Sequence, residues 1–123
     1  MLFRSAHDAN LSTAGAVPPD QEAELLSIAV LRLAMPERLI PASLDVEGIS
    51  GLRCRLEAGA NVVTSLVPPG SGLLGVSRAE LGIEEGERTV AGVVPHLRAL
   101  GLRPGSVAEY RRRLDEARRR ANA

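Results

Sequence analysis

RLIPASLDVEGISGLRCRLEAGANVVTS, from Arg38 to Ser65, reads as strand, helix, strand. Leu39 to Leu44 is a short apolar run that ends on small polar residues. Glu47 to Ala58 has helical spacing, with Ile49, Leu52 and Leu56 inward and Arg53, Arg55 and Glu57 outward, and Gly59 stops it. Ala60 to Ser65 is a second apolar run with a polar end. Strand, helix and strand within about 30 residues make a βαβ unit with two parallel strands. Its polar strand ends, Ser43–Leu44–Asp45 and Thr64–Ser65, fall at the carboxyl ends of the strands, where parallel sheets place their ligands. Pro41 removes a ladder donor from the first strand, which an edge or a missing neighbour tolerates.

On the N-terminal side, Met1 to Ala16 shows neither helical nor strand period and reads as a flexible lead-in, residues 1–16. Pro18–Pro19 punctuates. A helix then begins at Pro19 or Asp20, with Asp20, Glu22 and Glu24 in its first turns, where the helix dipole favours acids. Leu25, Ile28, Ala29, Arg32 and Leu33 recur at helical spacing, and Leu26, Val30 and Leu31 widen the apolar face. Pro36 ends it near Met35. On the C-terminal side, Leu66 to Val76 is a loop by its Pro and Gly content, and Ser77 to Gly82 has room for one helical turn. Glu84, Glu85 and Glu87 crowd the start of a helix over roughly Glu87 to Leu100. Its apolar face is Val90, Val93, Val94, Leu97 and Leu100, Gly101 is its C-cap, and Pro95 is expected to kink it. Ser106–Val107–Ala108–Glu109 is a capping box that opens a last helix to about Ala121. The order is α-β-α-β-α-α with no internal repeat, an α/β pattern. Two parallel strands do not close a barrel, so the sheet edge and its apolar inner face, with Val62 and Leu44 among the candidates, are expected to lie uncovered.

Composition narrows the function classes. The 123 residues fit one small domain or part of a larger one, and 45% are hydrophobic, which is globular material. Phe3 and Tyr110 are the only aromatics, so the core must be aliphatic. All 15 basic residues are Arg and are balanced by 15 acids, and zero net charge argues against a general nucleic-acid binder. Arg111–Arg113 and Arg118–Arg120 are basic runs, but Glu109–Arg113, Asp115–Arg119 and Glu116–Arg120 have the i,i+4 spacing of a self-paired solvated face. The single cysteine, Cys54, permits no internal disulfide and no cysteine metal cluster, and a half-buried helical position suits it. His7 and His96 are isolated and make no metal site. No apolar stretch reaches membrane-spanning length and the N-terminus lacks a signal-peptide pattern, so a cytoplasmic setting is expected. There is no nucleophile–base pair to support a hydrolase.

The remaining candidates are the polar strand ends. Asp45 suits an ammonium partner, with Ser43 two residues away on the same strand face, or it caps the helix that follows. Thr64 and Ser65 are pocket hydroxyls or simply polar strand ends. The Pro68–Gly72 loop lacks the Lys–Ser/Thr ending of a phosphate-binding P-loop.

RLIPASLDVEGISGLRCRLEAGANVVTSLVPPGSGLLGV, followed by IEEGERTV, resembles the C-terminal part of methylornithine synthase, a radical S-adenosylmethionine enzyme of the group that includes biotin synthase. LLSIAVLRLAMP is similar to the helix before the sixth barrel strand of that group, and AGANVV to the seventh strand. AGAN is common to the group, whereas PASLDVEG with AGANVVTS is more specific to the methylornithine branch. The resemblance runs from roughly Pro18 to Ala121. It implies a partial TIM-type barrel over residues 17–123, two parallel strands with about four helices, of the biotin- and thiamin-synthesis-associated type. It further implies that the intact enzyme binds a 4Fe-4S cluster and S-adenosylmethionine and converts L-lysine to 3-methylornithine for pyrrolysine biosynthesis. By the same resemblance, Ser43 and Asp45 fall on the positions expected to hold the amino-acid head group, and Thr64 and Ser65 are expected to line the same cavity. The family's CxxxCxxC motif has no counterpart here. The chain by itself is therefore expected to bind no cluster, to carry no catalytic residue, and to need the missing barrel half or self-association. The alternative is a non-catalytic amino-acid-binding or protein-interaction module derived from the same barrel.

Overall fold

The computed structural model describes residues 2–4, 19–45, 47–68, 70–71 and 86–123. In chain order these form β1 (Leu2–Arg4), α1 (Pro19–Ala34), β2 (Pro41–Ser43), α2 (Gly48–Ala58), β3 (Val62–Thr64), α3 (Val90–Ala99), β4 (Leu102–Pro104) and α4 (Val107–Ala121). β2 and β3 pair in parallel, with Pro41 opposite Val62, Ala42 opposite Val63 and Ser43 opposite Thr64. The expected βαβ unit and the four helices are present.

A second pairing was not expected. β1 and β4 form an antiparallel ribbon, Leu2 opposite Pro104 and Arg4 opposite Leu102. Three-residue strands carry too little alternation for a period to emerge, and β4 sits in the short stretch between the end of α3 and Ser106. The 1–16 lead-in is therefore part strand, at Leu2–Arg4. The turn expected over Ser77–Gly82 lies outside the described residues.

Pro41 is accommodated as the first residue of β2. The strand is anchored just before it. Ile40 N–H donates to Asn61 Oδ1 at 2.8 Å, and the Ile40 carbonyl accepts from Asn61 N at 2.9 Å and Val62 N at 3.2 Å. Alternation along β2 then divides its residues. Ile40, Ala42 and Leu44 are buried, while Leu39 and Pro41 are exposed and Ser43 is half-buried.

The buried face meets α1, α2 and α3. Ile28, Ile40, Ala42, Leu44, Leu52, Leu56, Ala60, Val93 and Leu97 form one aliphatic core, with Ile49, Val63 and Leu100 packed on it. Leu44 was expected on the uncovered side and is instead fully buried, because the odd–even register turns it to the helices with Ala42. The opposite face carries Leu39, 40% exposed, and Pro41, also exposed, whereas Ser43, Val62 and Thr64 on it are half-buried. Leu33, expected on the inner face of α1, is 83% exposed, and Val90 of α3 is 64% exposed.

Arg55 is the clearest departure from the sequence expectation. It was expected to point outward and is wholly buried between α1 and α2. Its Nε and Nη2 donate to the two carboxylate oxygens of Glu24 at 2.9 and 2.8 Å, and Nη1 lies 3.6 Å from Glu47. Charge satisfied in this bidentate way can be buried. Gly51 leaves the space: a Cβ there would overlap Arg55 Nη1 and Glu47 Oε2.

α3 starts later than its acidic lead suggests. Thr89 is the N-cap; its hydroxyl accepts from Gly92 N at 3.0 Å and donates to the Gly86 carbonyl at 2.7 Å. The helix runs on through Pro95. Gly101 follows it in the left-handed region, φ 67°, with its N–H on the Arg98 carbonyl. The capping box of α4 forms as expected, Ser106 with Glu109. Its charges pair differently from the i,i+4 expectation. Glu109 binds Arg103 at 2.7 Å, Arg113 donates to the Glu37 carbonyl, and Arg120 reaches the Glu37 carboxylate at 3.4 Å.

Candidate functional site

The carboxyl ends of β2 and β3 converge on one polar cluster. Ser43 and Thr64 are register partners and lie on the face opposite Ala42 and Val63. The Ser43 and Ser65 hydroxyls are 3.0 Å apart. Ser65 Oγ donates to Asp45 Oδ2 at 2.5 Å, and the Asp45 N–H donates to Ser43 Oγ at 3.2 Å. Ser65 reaches this position because its backbone turns into the left-handed region, φ 61°, directly after β3. A non-glycine residue there is held by its surroundings, and the hydroxyl contacts with Ser43 and Asp45 supply that restraint. Ser43, Asp45 and Ser65 are thus in mutual contact, and Thr64 stands beside Ser43 across the ladder.

Asp45 does not cap α2. The N-cap is Glu47, in a left-handed conformation and without a side-chain cap bond. Glu47 is engaged instead by Gln21, whose amide donates to its carboxylate, and by Arg55. The Asp45 carboxylate is left for the strand-end cluster, and its side chain is 36% exposed.

The residue that sequence reasoning missed is Arg88. It is fully buried, and its Nη2 donates to Asp45 Oδ1 at 2.7 Å and to the Ser65 carbonyl at 2.9 Å. Its own carbonyl accepts from Val67 N at 3.0 Å, so the chain entering α3 is tied to both strand ends. Periodicity cannot single out an arginine in a turn. The available signal was an isolated Arg next to a helix-capping Thr, in the IEEGERTV segment.

The other candidates do not join this cluster. Cys54 is half-buried on α2, and His96 is exposed on α3. His7 lies outside the described residues. Among the described residues no group of three or more His, Cys, Asp and Glu could hold a metal ion, and no helix is long and apolar enough to cross a membrane. Chemically the cluster offers a carboxylate whose side chain is 36% exposed, two hydroxyls in contact, and a buried guanidinium. That set suits an ammonium-bearing ligand and contains no nucleophile–base pair.

No family model matches the chain. The chain is 51% identical to 3-methylornithine synthase of Methanosarcina barkeri over 87 residues, 71% of this chain and 25% of that protein. It is 48% identical to 3-methylornithine synthase of Methanosarcina acetivorans over the same length. The crystal structure of methylornithine synthase (PylB) superposes with a TM-score of 0.64 at 49% identity, covering 73% of this chain and 27% of that one. The chain therefore spans about a quarter of the length of the relatives it matches. With half of the aligned positions identical and the fold shared, this α/β chain is homologous to a segment of methylornithine synthase and has the architecture of a partial TIM-type barrel.

Proposed function

We propose that the chain is the C-terminal substrate-binding segment of a methylornithine synthase-like radical enzyme, one that converts L-lysine to 3-methylornithine in pyrrolysine biosynthesis. Residues 17–123 make up the barrel segment and work in the cytoplasm. The observation that carries this reading is the convergence of Ser43, Asp45 and Ser65 at the ends of two parallel strands. In it, the Asp45 carboxylate takes the ligand's ammonium group. The Ser43 and Ser65 hydroxyls add neutral hydrogen bonds, and Thr64 lines the same wall. The face of β2 and β3 opposite the core borders the barrel interior.

The residues present do not fit an iron–sulfur cluster. Such a cluster is held by several thiolates. This chain has one cysteine, and it sits half-buried in the middle of α2. The cluster and S-adenosylmethionine belong, in this reading, to the remaining part of the barrel. What this chain contributes is recognition: Asp45 and the serines fix the position of the amino-acid head group. The competing reading, a binding module without redox chemistry, uses the same strand ends.

Reading the DNA upstream of the Met1 codon separates the two. An in-frame CxxxCxxC supports the enzyme segment, and its absence overturns that assignment. Titration calorimetry of the 123-residue chain with L-lysine and 3-methylornithine then tests the binding module, which no heat at millimolar ligand would remove.

A further inference from the structure

The hydroxyl protons at the strand ends run in one direction. We propose that this makes Ser43 and Ser65 acceptors only toward a ligand, so that the site selects a primary ammonium group by its N–H donors as well as by its charge. The proposal rests on the amino-acid-binding reading given under Proposed function and names the group that this wall takes.

Each serine hydroxyl has one proton to donate and two lone pairs that accept. Asp45 Oδ1 accepts from Arg88 Nη2 at 2.7 Å, and this ion pair fixes the carboxylate as an acceptor. Ser65 Oγ therefore gives its proton to Asp45 Oδ2, and the 2.5 Å separation is that of a hydroxyl on a charged oxygen. The 3.0 Å contact between the Ser43 and Ser65 hydroxyls admits either oxygen as donor by distance. Ser65 has no second proton, so Ser43 donates and Ser65 accepts. Ser43 Oγ also accepts the Asp45 N–H at 3.2 Å. Both protons thus run toward the carboxylate, from Ser43 to Ser65 to Asp45. Among the described residues nothing else bonds to either hydroxyl, and each oxygen keeps one lone pair. Turning either proton to a ligand would break a link of this chain.

The consequence is a site of fixed polarity. Arg88 is fully buried while the Asp45 side chain is 36% exposed, so their ion pair shows its negative end and disfavours a ligand carboxylate. The two half-buried hydroxyls disfavour it as well, since an acceptor facing an acceptor stays unpaired. A primary ammonium carries three N–H donors and no acceptor, so it meets the hydroxyl pair with a donor in any rotation about its C–N bond. This polarity holds whatever further contacts Asp45 and Arg88 make, because the carboxylate acts through its charge and the serines supply the hydrogen bonds.

Calorimetric titrations of the full 123-residue chain compare L-lysine with its derivative trimethylated on both nitrogens, which keeps both positive charges and has no N–H. Wild type should favour lysine by roughly tenfold or more. Ser43→Ala and Ser65→Gly each remove an acceptor, and each should shrink that preference by about threefold or more. Glycine suits position 65 because it adopts the left-handed backbone there, φ 61°, without strain. A purely structural role for the serines would weaken both ligands equally, and a fall in the ratio in either variant supports the proposal. Equal or tighter binding of the methylated ligand by wild type, or a ratio unchanged in both variants, overturns the one-way hydroxyls and leaves the amino-acid site standing. Binding of neither ligand by wild type overturns the amino-acid site and this proposal together. Should circular dichroism find Ser43→Ala unfolded, the wild-type preference and Ser65→Gly decide by the same ratio.

Discussion

Arg55 and Arg88 are buried for different ends. Arg55 joins two helices through Glu24 and Glu47, whereas Arg88 joins two strand ends through Asp45 and Ser65. Removing a partner from a buried pair commonly costs about 3–5 kcal/mol because an uncompensated charge stays behind. The Glu24 side chain is 41% exposed and Glu47 still faces Arg55, so Glu24→Ala should cost less, about 2 kcal/mol in urea unfolding. The Arg55 guanidinium, through its hydrogen bonds, holds the Glu24 carboxyl below its ordinary 4.5. A depressed folded-state pKa stabilises the fold above the unfolded value, and that stabilisation is lost as pH falls through the folded one. Thermal melts should therefore show stability declining below about pH 4.5, with a shallower decline in Glu24→Gln.

At the scale of elements, the two C-terminal helices are secured in unlike ways. α3 is held by burial of Val93 and Leu97 and by the close approach of Gly92 to the Gly86–Thr89 turn. Gly92→Ala puts a methyl group against backbone carbonyls that cannot swing away. We expect a loss of about 1–3 kcal/mol in chemical denaturation, with weakened ligand binding because Arg88 sits in that turn. α4 buries no residue and depends on its ends. Ser106→Ala removes one half of the capping box and should cost α4 about 1 kcal/mol, read as faster amide exchange through its first turns. Arg103 and the Ser106 contacts lower the Glu109 carboxyl to about 2. The contribution of that pair is present above the ordinary 4.5 of a Glu and disappears as pH falls toward about 2. Fraying of α4 between those values, ahead of core unfolding, is the expected exchange pattern.

For the whole molecule, the described helices pack their core residues against one face of β2 and β3. Leu26, Val30 and Leu33 form an exposed stripe along α1, at 64%, 54% and 83% accessibility. Apolar surface of this extent favours association. Sedimentation velocity should show mass increasing with protein concentration. The double variant Leu26→Glu, Leu33→Glu should weaken association by more than about tenfold, since burying a leucine is worth on the order of 2 kcal/mol. A monomer at every concentration, with a sharply cooperative melt, would count against this expectation.

The βαβ unit, the four helices and the capping box were legible from sequence because they depend on local information: apolar spacing, Gly and Pro punctuation, and a Ser–Glu pair three residues apart. The position of the polar residues at the carboxyl ends of two parallel strands was legible too, since it follows from strand order alone. The β1–β4 ribbon was not, because its two strands are brief and about a hundred residues apart, and pairing at that distance leaves no local trace. Nor was the inward turn of Arg55 or Arg88. A charged side chain reads as exposed until its partners are known, and those partners, Glu24 and Asp45, come from elements 31 and 43 residues away. Local sequence thus determined which segments are helix and strand and which ends are polar. Only the tertiary structure decided that Asp45 faces a buried cation rather than capping a helix, because that choice depends on where α3 brings Arg88.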